Sequence, residues 1–317
     1  MYRALLTLAW PIVIGASCKD KPAPAPAPPV EAPHDGVKLI QRGAAPVQTL
    51  RYRFSKGAKT ASTLVCDVAI KTDGEGEVTP PLVVDLETVI EDVASDGTAK
   101  LRLTLTGARL QREGSADLAA QVAALPGIEI TETLAPDGAT SGARVSSTGS
   151  GPDKARAQLD SLLQSLAHVT TQLPAEAVGI GATWEERRTL PPGGITGIAK
   201  TIYTVTALTP TSFSYTSAGD LTGGRQTITR DGVTIDVNQA SGHVEGKGTV
   251  ALEAYALDVD SRTGFKATMT TVGARDAGSS DASTIEVTMA TRMTPATAAR
   301  ADGGDAGVAD AGIADGP

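Results

Sequence analysis

Between Gly36 and Pro295 the apolar residues of this chain recur at every second position, and that period limits the fold more than any other feature. Leu50, Tyr52 and Phe54 alternate with Arg51 and Arg53, and Leu101, Leu103 and Leu105 alternate with Arg102, Thr104 and Thr106. Successive side chains of a strand point to opposite faces, so each run predicts a half-buried strand. Leu64 to Ile70, Leu82 to Ile90 and Ile128 to Leu134 repeat the pattern, with turn signals at Asp73-Gly74, Asp96-Gly97 and Asp137-Gly138. Such turns join antiparallel neighbours. A second series follows at Ile198 to Leu208, Ser212 to Ser217, Arg225 to Arg230 and Val233 to Val237, the last pair joined by Asp231-Gly232. Val244 to Val259 and Phe265 to Val272 read as a long hairpin around Asp260 to Gly264, and Ile285, Val287 and Met289 form the final strand.

A sheet with one apolar face must cover it, and two stretches change to a helical period. Ser115 can cap a short helix over Asp117 to Leu125, which places Leu118, Val122 and Leu125 on one side and ends at Pro126. The second stretch, Pro152 to Val169, opens with a proline tolerated at a first helical position. Asp153 then favours the helix dipole, and Ala155, Leu159, Leu162, Leu163 and Leu166 form an apolar stripe. His168 near its end reads as a cationic helix terminus rather than a metal ligand. The expected fold class is mainly β: a curved antiparallel sheet, a half-barrel of roughly ten to twelve strands, with two helices packed on the concave face. The two series of strands divide near residues 173–183.

The first 35 residues are of another kind. Arg3 supplies a positive start, Ala4 to Ile14 form a short apolar run broken by Pro11, and Gly15, Ala16 and Ser17 are small residues before Cys18. This segment resembles the signal of bacterial envelope lipoproteins, with Gly15 standing where that family usually has leucine. The resemblance implies cleavage after residue 17, acylation of Cys18 and anchoring by several acyl chains, which hold a protein stably where one does not. Lys19 after the cysteine implies sorting to the outer membrane. An ordinary secretory peptide cut near Ser17 is the alternative. The apolar run is too short for a transmembrane helix, which needs about 20 residues. Lys21 to Pro33 alternate proline and alanine, a tether that favours polyproline II and reaches roughly 40 Å, with His34 exposed beside it. The organisation is then a signal over 1–17, a lipidated and tethered stretch over 18–35, a β domain over 36–295 and a tail over 296–317.

Charge and cysteine content narrow the partners. The chain carries −8 in all; the first 35 residues balance, and the tail from Ala296 contributes −3, which leaves the domain near −5. An acidic domain without a basic stripe excludes nucleic acid as the expected partner. With Cys18 acylated, Cys66 is a free thiol, and Leu64, Val68 and Ile70 share its strand face, which suits an inert packing role. A Cys18–Cys66 disulfide is the competing arrangement. Asn238 is the single asparagine beside abundant alanine and glycine, a composition that weakens propensity arguments.

Motifs for chemistry are mostly missing. No nucleophile elbow, zinc helix, phosphate loop or paired C-x-x-C occurs. Gly179 and Gly181 suggest a dinucleotide fingerprint, but the third glycine position holds Trp184 and strand-like sequence follows. Val178 to Trp184 instead resemble strand-opening segments of uncharacterised bacterial envelope lipoproteins. Trp184, the one tryptophan of the domain, reads as core, with ligand contact as the second reading. Glu185 and Glu186 point to opposite faces and pair with Arg187 and Arg188, as a solvated sheet face would have them. His243-Val244-Glu245 matches half of a zinc deaminase pattern by chance, with no cysteine pair following. Asp305, Asp310 and Asp315 recur in an Ala/Gly tail that has nothing to bury and is expected to be disordered.

The predicted architecture resembles the half-barrel of lipoprotein carriers and lipid-binding envelope lipoproteins, LolA-like or LppX-like. That resemblance implies a noncatalytic protein that needs no cofactor. The membrane is its partner through acyl chains, and a lipid or acylated envelope protein sits in a concave groove. Trp184, Leu159, Leu162 and Leu166 are the candidate groove residues. A structural or interaction module without a ligand is the alternative.

Overall fold

The computed structural model describes residues 36–147, 170–189, 195–230, 233–272 and 282–296. The signal, Cys18, the tether, His34, the second predicted helix with Leu159, Leu162, Leu166 and His168, the Asp231-Gly232 turn and the acidic tail lie outside them. In chain order the strands are β1 (Gly36–Gln41), β2 (Ala44–Gln48), β3 (Lys59–Thr72), β4 (Glu75–Val78), β5 (Leu82–Val93) and β6 (Ala99–Leu110). Helix α1 (Ala116–Ala123) precedes β7 (Ile128–Leu134), β8 (Thr140–Ser147), β9 (Val178–Ile180), β10 (Thr183–Thr189), β11 (Ile198–Leu208) and β12 (Ser212–Gly223). β13 (Gln226–Arg230), β14 (Val233–Ala251), β15 (Ala256–Val272) and β16 (Ala282–Pro295) complete the chain.

Fourteen of these strands form one antiparallel sheet in the order β1-β10-β11-β12-β14-β15-β16-β3-β5-β6-β7-β8, with β13 and β4 attached to β14 and β3; β2 and β9 pair separately. The two series predicted from sequence are thus one continuous sheet, joined where β16 pairs with β3. Its ends, β1 and β8, do not pair with each other, so the sheet is not a closed barrel.

It is nevertheless rolled. β10 and β7 stand nine ladder steps apart, which would separate them by roughly 43 Å in a flat sheet. Yet the short segment Thr170–Leu173, which can span at most about 14 Å, touches both ends. Leu173 N–H donates to Asp137 in the β7–β8 turn at 2.7 Å, and Gln172 C=O accepts the Trp184 indole N–H from β10 at 3.1 Å. Only a sheet curled on itself permits both bonds.

One end of the roll has a floor. Leu50 to Phe54 alternate as predicted, but Leu50 to Ala58 form no strand. They cross under the turns instead: Tyr52 N–H donates to Pro136 C=O, Arg53 N–H to Leu252 C=O and Gly57 N–H to Ile90 C=O, each at 2.8 Å. The period-2 signal here reports an extended segment whose backbone bonds go to loops rather than to a neighbouring ladder. Leu50 and Tyr52 point up into the main core with Leu64, Leu101, Leu105, Leu134, Trp184, Phe213 and Val250.

Two further expectations need correction. The turn placed at Asp260 to Gly264 is mid-strand, since Gly264 pairs with His243 in the β14–β15 ladder. The true reversal lies at Leu252 to Tyr255, without glycine; Tyr255 takes φ 45° and is held there by its buried ring. Helical cover of the concave face by two helices is the other. Among the described residues there is one helix, and it packs against β6 instead of lying across the sheet. Ser115 caps it as predicted, its hydroxyl accepting from Leu118 N–H at 3.2 Å. A helix of this length reaches only about 12 Å, and it buries Val122 alone, leaving Leu118 half-exposed. It is too short to cover a wide sheet.

Candidate functional site

Residues directly opposite in an antiparallel ladder share a face, so the register places the side chains on the concave surface rung by rung. Across β12, β14, β15, β16 and β3 the rung nearest the floor is Tyr215, Gly248, Val259, Met293 and Leu64. Above it come Ser217, Gly246, Ser261, Thr291 and Cys66, then Gly219, Val244, Thr263, Met289 and Val68, then Leu221, Gly242, Phe265, Val287 and Ile70. The lowest rung belongs to the packed core. The second is small or polar throughout. In the upper two, Val244, Met289, Val68, Val287 and Ile70 are all half-buried. A second, small core of Val237, Ala240 and Ala267 packs at the far ends of β14 and β15, with Phe265 and Met269 against it. The concave face therefore has a band of small side chains and half-covered apolar ones between two packed ends.

Followed onto β11 and β10 the same rungs become aromatic and charged, Tyr203 and Trp184 continuing the second and Glu186 the third, and there the segment Thr170–Leu173 that reaches the floor packs against them. Trp184 has no exposed surface and stacks on Tyr203 at 5.4 Å, while Tyr203 and Tyr215 meet edge-on at 5.3 Å. On the same side, Glu186 is 2% exposed and pairs with Arg188, whose guanidinium also donates to Thr170 C=O. This corrects the reading of both glutamates as a solvated face. Glu185 does face out, bonded to Arg187 at 2.6 Å and Lys200 at 2.9 Å. Glu186 follows the phase of Trp184 inward, and burial raises its carboxyl despite the opposing pull of Arg188. Its Oε2 has no hydrogen-bond partner.

A second inward carboxylate, Glu132 on β7, was not anticipated. It is 2% exposed, its Oε2 is also unpartnered, and burial pushes its carboxyl up to about 7. Nearby Tyr255 shares a 3.0 Å hydroxyl contact with Thr170 and is itself raised by burial. The signal was present in the sequence: within Ile128–Leu134, Glu132 occupies the phase of Ile128, Ile130 and Leu134, all buried. Alternation identified the strand without flagging the one inward position that carries charge.

Of the predicted groove residues, Trp184 faces the concave side fully buried, and Leu159, Leu162 and Leu166 lie outside the described residues. Cys66 is a free thiol on the second rung; burial raises it and a hydrogen bond to Thr291 partly opposes that, which makes a poor nucleophile near neutral pH. His243 lies on the outer face, 3.5 Å from Asp220. An open trough of about 460 Å³ runs between α1 and the end of β6, past Ala108, Arg109, Leu110, Arg112, Glu113 and Val122. Arg109 is engaged by Asp85 at 2.6 Å. Among the described residues no three potential metal ligands gather. The chain matches no protein-family model and no curated protein sequence.

Proposed function

We propose that this chain is an outer-membrane lipoprotein of the bacterial envelope, acylated at Cys18, whose rolled sheet holds a single lipid or acyl chain along the concave band. One observation carries the reading. Five neighbouring strands continue beyond the packed floor, and three of them, β14, β16 and β3, present Val244, Met289, Val287, Val68 and Ile70 inward, only half-buried, beside glycine, serine and threonine. An apolar concave surface with few polar groups is the usual form of a site for a flexible apolar ligand. The reading assigns no reaction and requires no cofactor. The rival, a structural or interaction lipoprotein without a ligand, draws support from the floor, where Trp184, Phe213 and Leu101 leave no room.

Native mass spectrometry of protein extracted gently from membranes separates the two. A bound mass that matches a phospholipid or fatty acid, lost on organic extraction, is the expected result. If the protein emerges at the mass of the acylated chain alone, the carrier reading fails while the anchor stands. Incorporation of radiolabelled palmitate, abolished by Cys18→Ser, tests the anchor separately.

A further inference from the structure

The expectation of a domain without a basic stripe needs correction where the tether ends, because net charge averages over a local stretch of one sign. From Gly36 to Lys59 the chain has Lys38, Arg42, Arg51, Arg53, Lys56 and Lys59 and not one acidic residue, in a protein of net charge −8. Three of these cations meet carboxylates: Arg53 with Glu253, Lys56 with Asp92 and Lys59 with Glu87. Among the described residues the guanidinium groups of Arg42 and Arg51 bond backbone carbonyls, of Ala177 for the first and of Leu50, Pro174 and Ala175 for the second. Lys38 is exposed on the outer side of β1.

The exposed large apolar side chains of the described residues fall in the same corner. Ile40 is 56% exposed, Val47 37% and Ile180 51%. Ile40 lies two residues from both Lys38 and Arg42. Ile180 pairs with Ala44 on the β2–β9 ribbon, and Arg42 C=O accepts from Gly179 N–H at 2.9 Å, so β9 and the basic stretch are held together. Among the described residues Lys38, Arg42 and Arg51 form no ion pair, although Lys38 lies across the ladder from Glu185, which is held by Arg187 and Lys200; exposed isoleucine and valine interleaved with such cations is the composition of a surface that rests in a lipid headgroup layer. β1 begins at Gly36, directly after the segment Cys18 to Asp35, so an anchor at Cys18 would hold this corner nearer the bilayer, along the chain, than any other part of the domain.

We propose that the corner formed by Lys38, Ile40, Arg42, Val47 and Ile180 is a membrane-contact surface for anionic lipid, which orients the rolled sheet on the bilayer. The proposal rests on the anchored reading for its geometry but not for its chemistry, so the two can fail separately.

The test compares the full mature chain, acylated, in vesicles of phosphatidylethanolamine alone and in vesicles containing a third phosphatidylglycerol. Amide hydrogen exchange is expected to slow in residues 36–48 and 178–182 on the anionic vesicles only, and 0.5 M salt is expected to remove the effect. The Cys18→Ser chain, which carries no acyl group, is expected to sediment weakly with the anionic vesicles. Lys38→Gln should lower that partition about fivefold, the worth of one basic residue near such a surface, and Ile40→Ser should lower it further. Equal exchange on both vesicle types, or protection confined to another face, overturns the contact surface even if palmitate enters Cys18. If palmitate does not enter but the salt-sensitive sedimentation persists, the anchor falls and the contact surface stands.

Discussion

On the concave face, Leu64 and Met293 are 2% and 8% exposed, whereas Val68 and Met289, four residues further along the same two strands, are only half-buried. The strands do not differ in kind between those points; what lies opposite them does. At the floor, the strap from Leu50 to Ala58, the segment Thr170–Leu173 and two aromatic groups, Tyr52 with Phe54 and Tyr255 and Trp184 with Tyr203, Phe213 and Tyr215, pack into the core. Higher up, the neighbouring positions on the same face include glycine, serine and threonine. One end of the roll is thus closed by cross-sheet contacts that hold its curvature, and the band above inherits that curvature without being filled to the same degree.

If the floor sets the curvature, damage there should cost most. Arg188→Met removes the partner of the buried Glu186 and is expected to destabilise the fold by about 3–5 kcal/mol at neutral pH, the range for breaking one side of a buried ion pair. Denaturant unfolding would measure it. Burial raises the Glu186 carboxyl, so the deficit should shrink as acid protonates the orphaned group. A loss under about 1 kcal/mol would mean that water reaches Glu186 and that the floor is looser than its contacts imply.

Glu132 tests the same region with the opposite sign. Its folded carboxyl titrates at about 7 against 4.5 for the free group, so the folded state holds the proton more tightly than the unfolded chain. Stability from this site is full below about pH 4.5 and is lost as the pH rises through 7, by about 3 kcal/mol in all. Glu132→Gln keeps the shape without the charge. It should leave stability unchanged near pH 4, raise it by about that amount at pH 8, and flatten the profile between. A variant that is less stable than the parent at pH 8 would show that the ionised carboxylate has a favourable partner.

The concave band calls for insertion instead of deletion. Thr263→Leu adds volume on the third rung, beside Val244 and Met289. Where space exists, the change should cost under about 1 kcal/mol. Ala99→Leu in the floor, at a fully buried position, should cost about 1–3 kcal/mol by overpacking. Equal penalties would make the band ordinary core and remove the ground for a ligand there.

How much of this was legible depends on which force set each element. Strands with a mainly apolar inner face, such as Ile128–Leu134 and Ile198–Leu208, could be bounded from alternation to the residue. Leu50 to Phe54 showed the same alternation but gave no strand, because the pattern reports which side chains are buried and not where backbone hydrogen bonds go. The β14–β15 reversal was hidden for the converse reason. Asp260, Ser261 and Gly264 have turn chemistry but sit mid-sheet, while the real turn depends on the buried Tyr255 tolerating a left-handed backbone. The inward glutamates needed phase and not composition: Glu132 and Glu186 look like surface charges until they are placed in register with Ile130 and Trp184. Hairpin neighbours could be read from the turns at Asp73-Gly74, Asp96-Gly97 and Asp137-Gly138, but the long-range strand order could not, since the pairing of β16 with β3 links residues more than two hundred positions apart.

The smallest effect should come from α1, at the rim opposite the floor. Ser115→Ala removes one capping hydrogen bond from a helix that buries only Val122, and about 1 kcal/mol or less is expected. Its distribution is more informative than its size. The helix touches the sheet chiefly through β6, so faster hydrogen exchange should stay within residues 115–124, with β6 and β7 unchanged. Spread of the effect into Leu101, Leu103 and Ile130 would show that the rim and the floor unfold as one unit. In that case the curvature of the roll would depend on both ends, and the band between them could not be loosened without the whole sheet giving way.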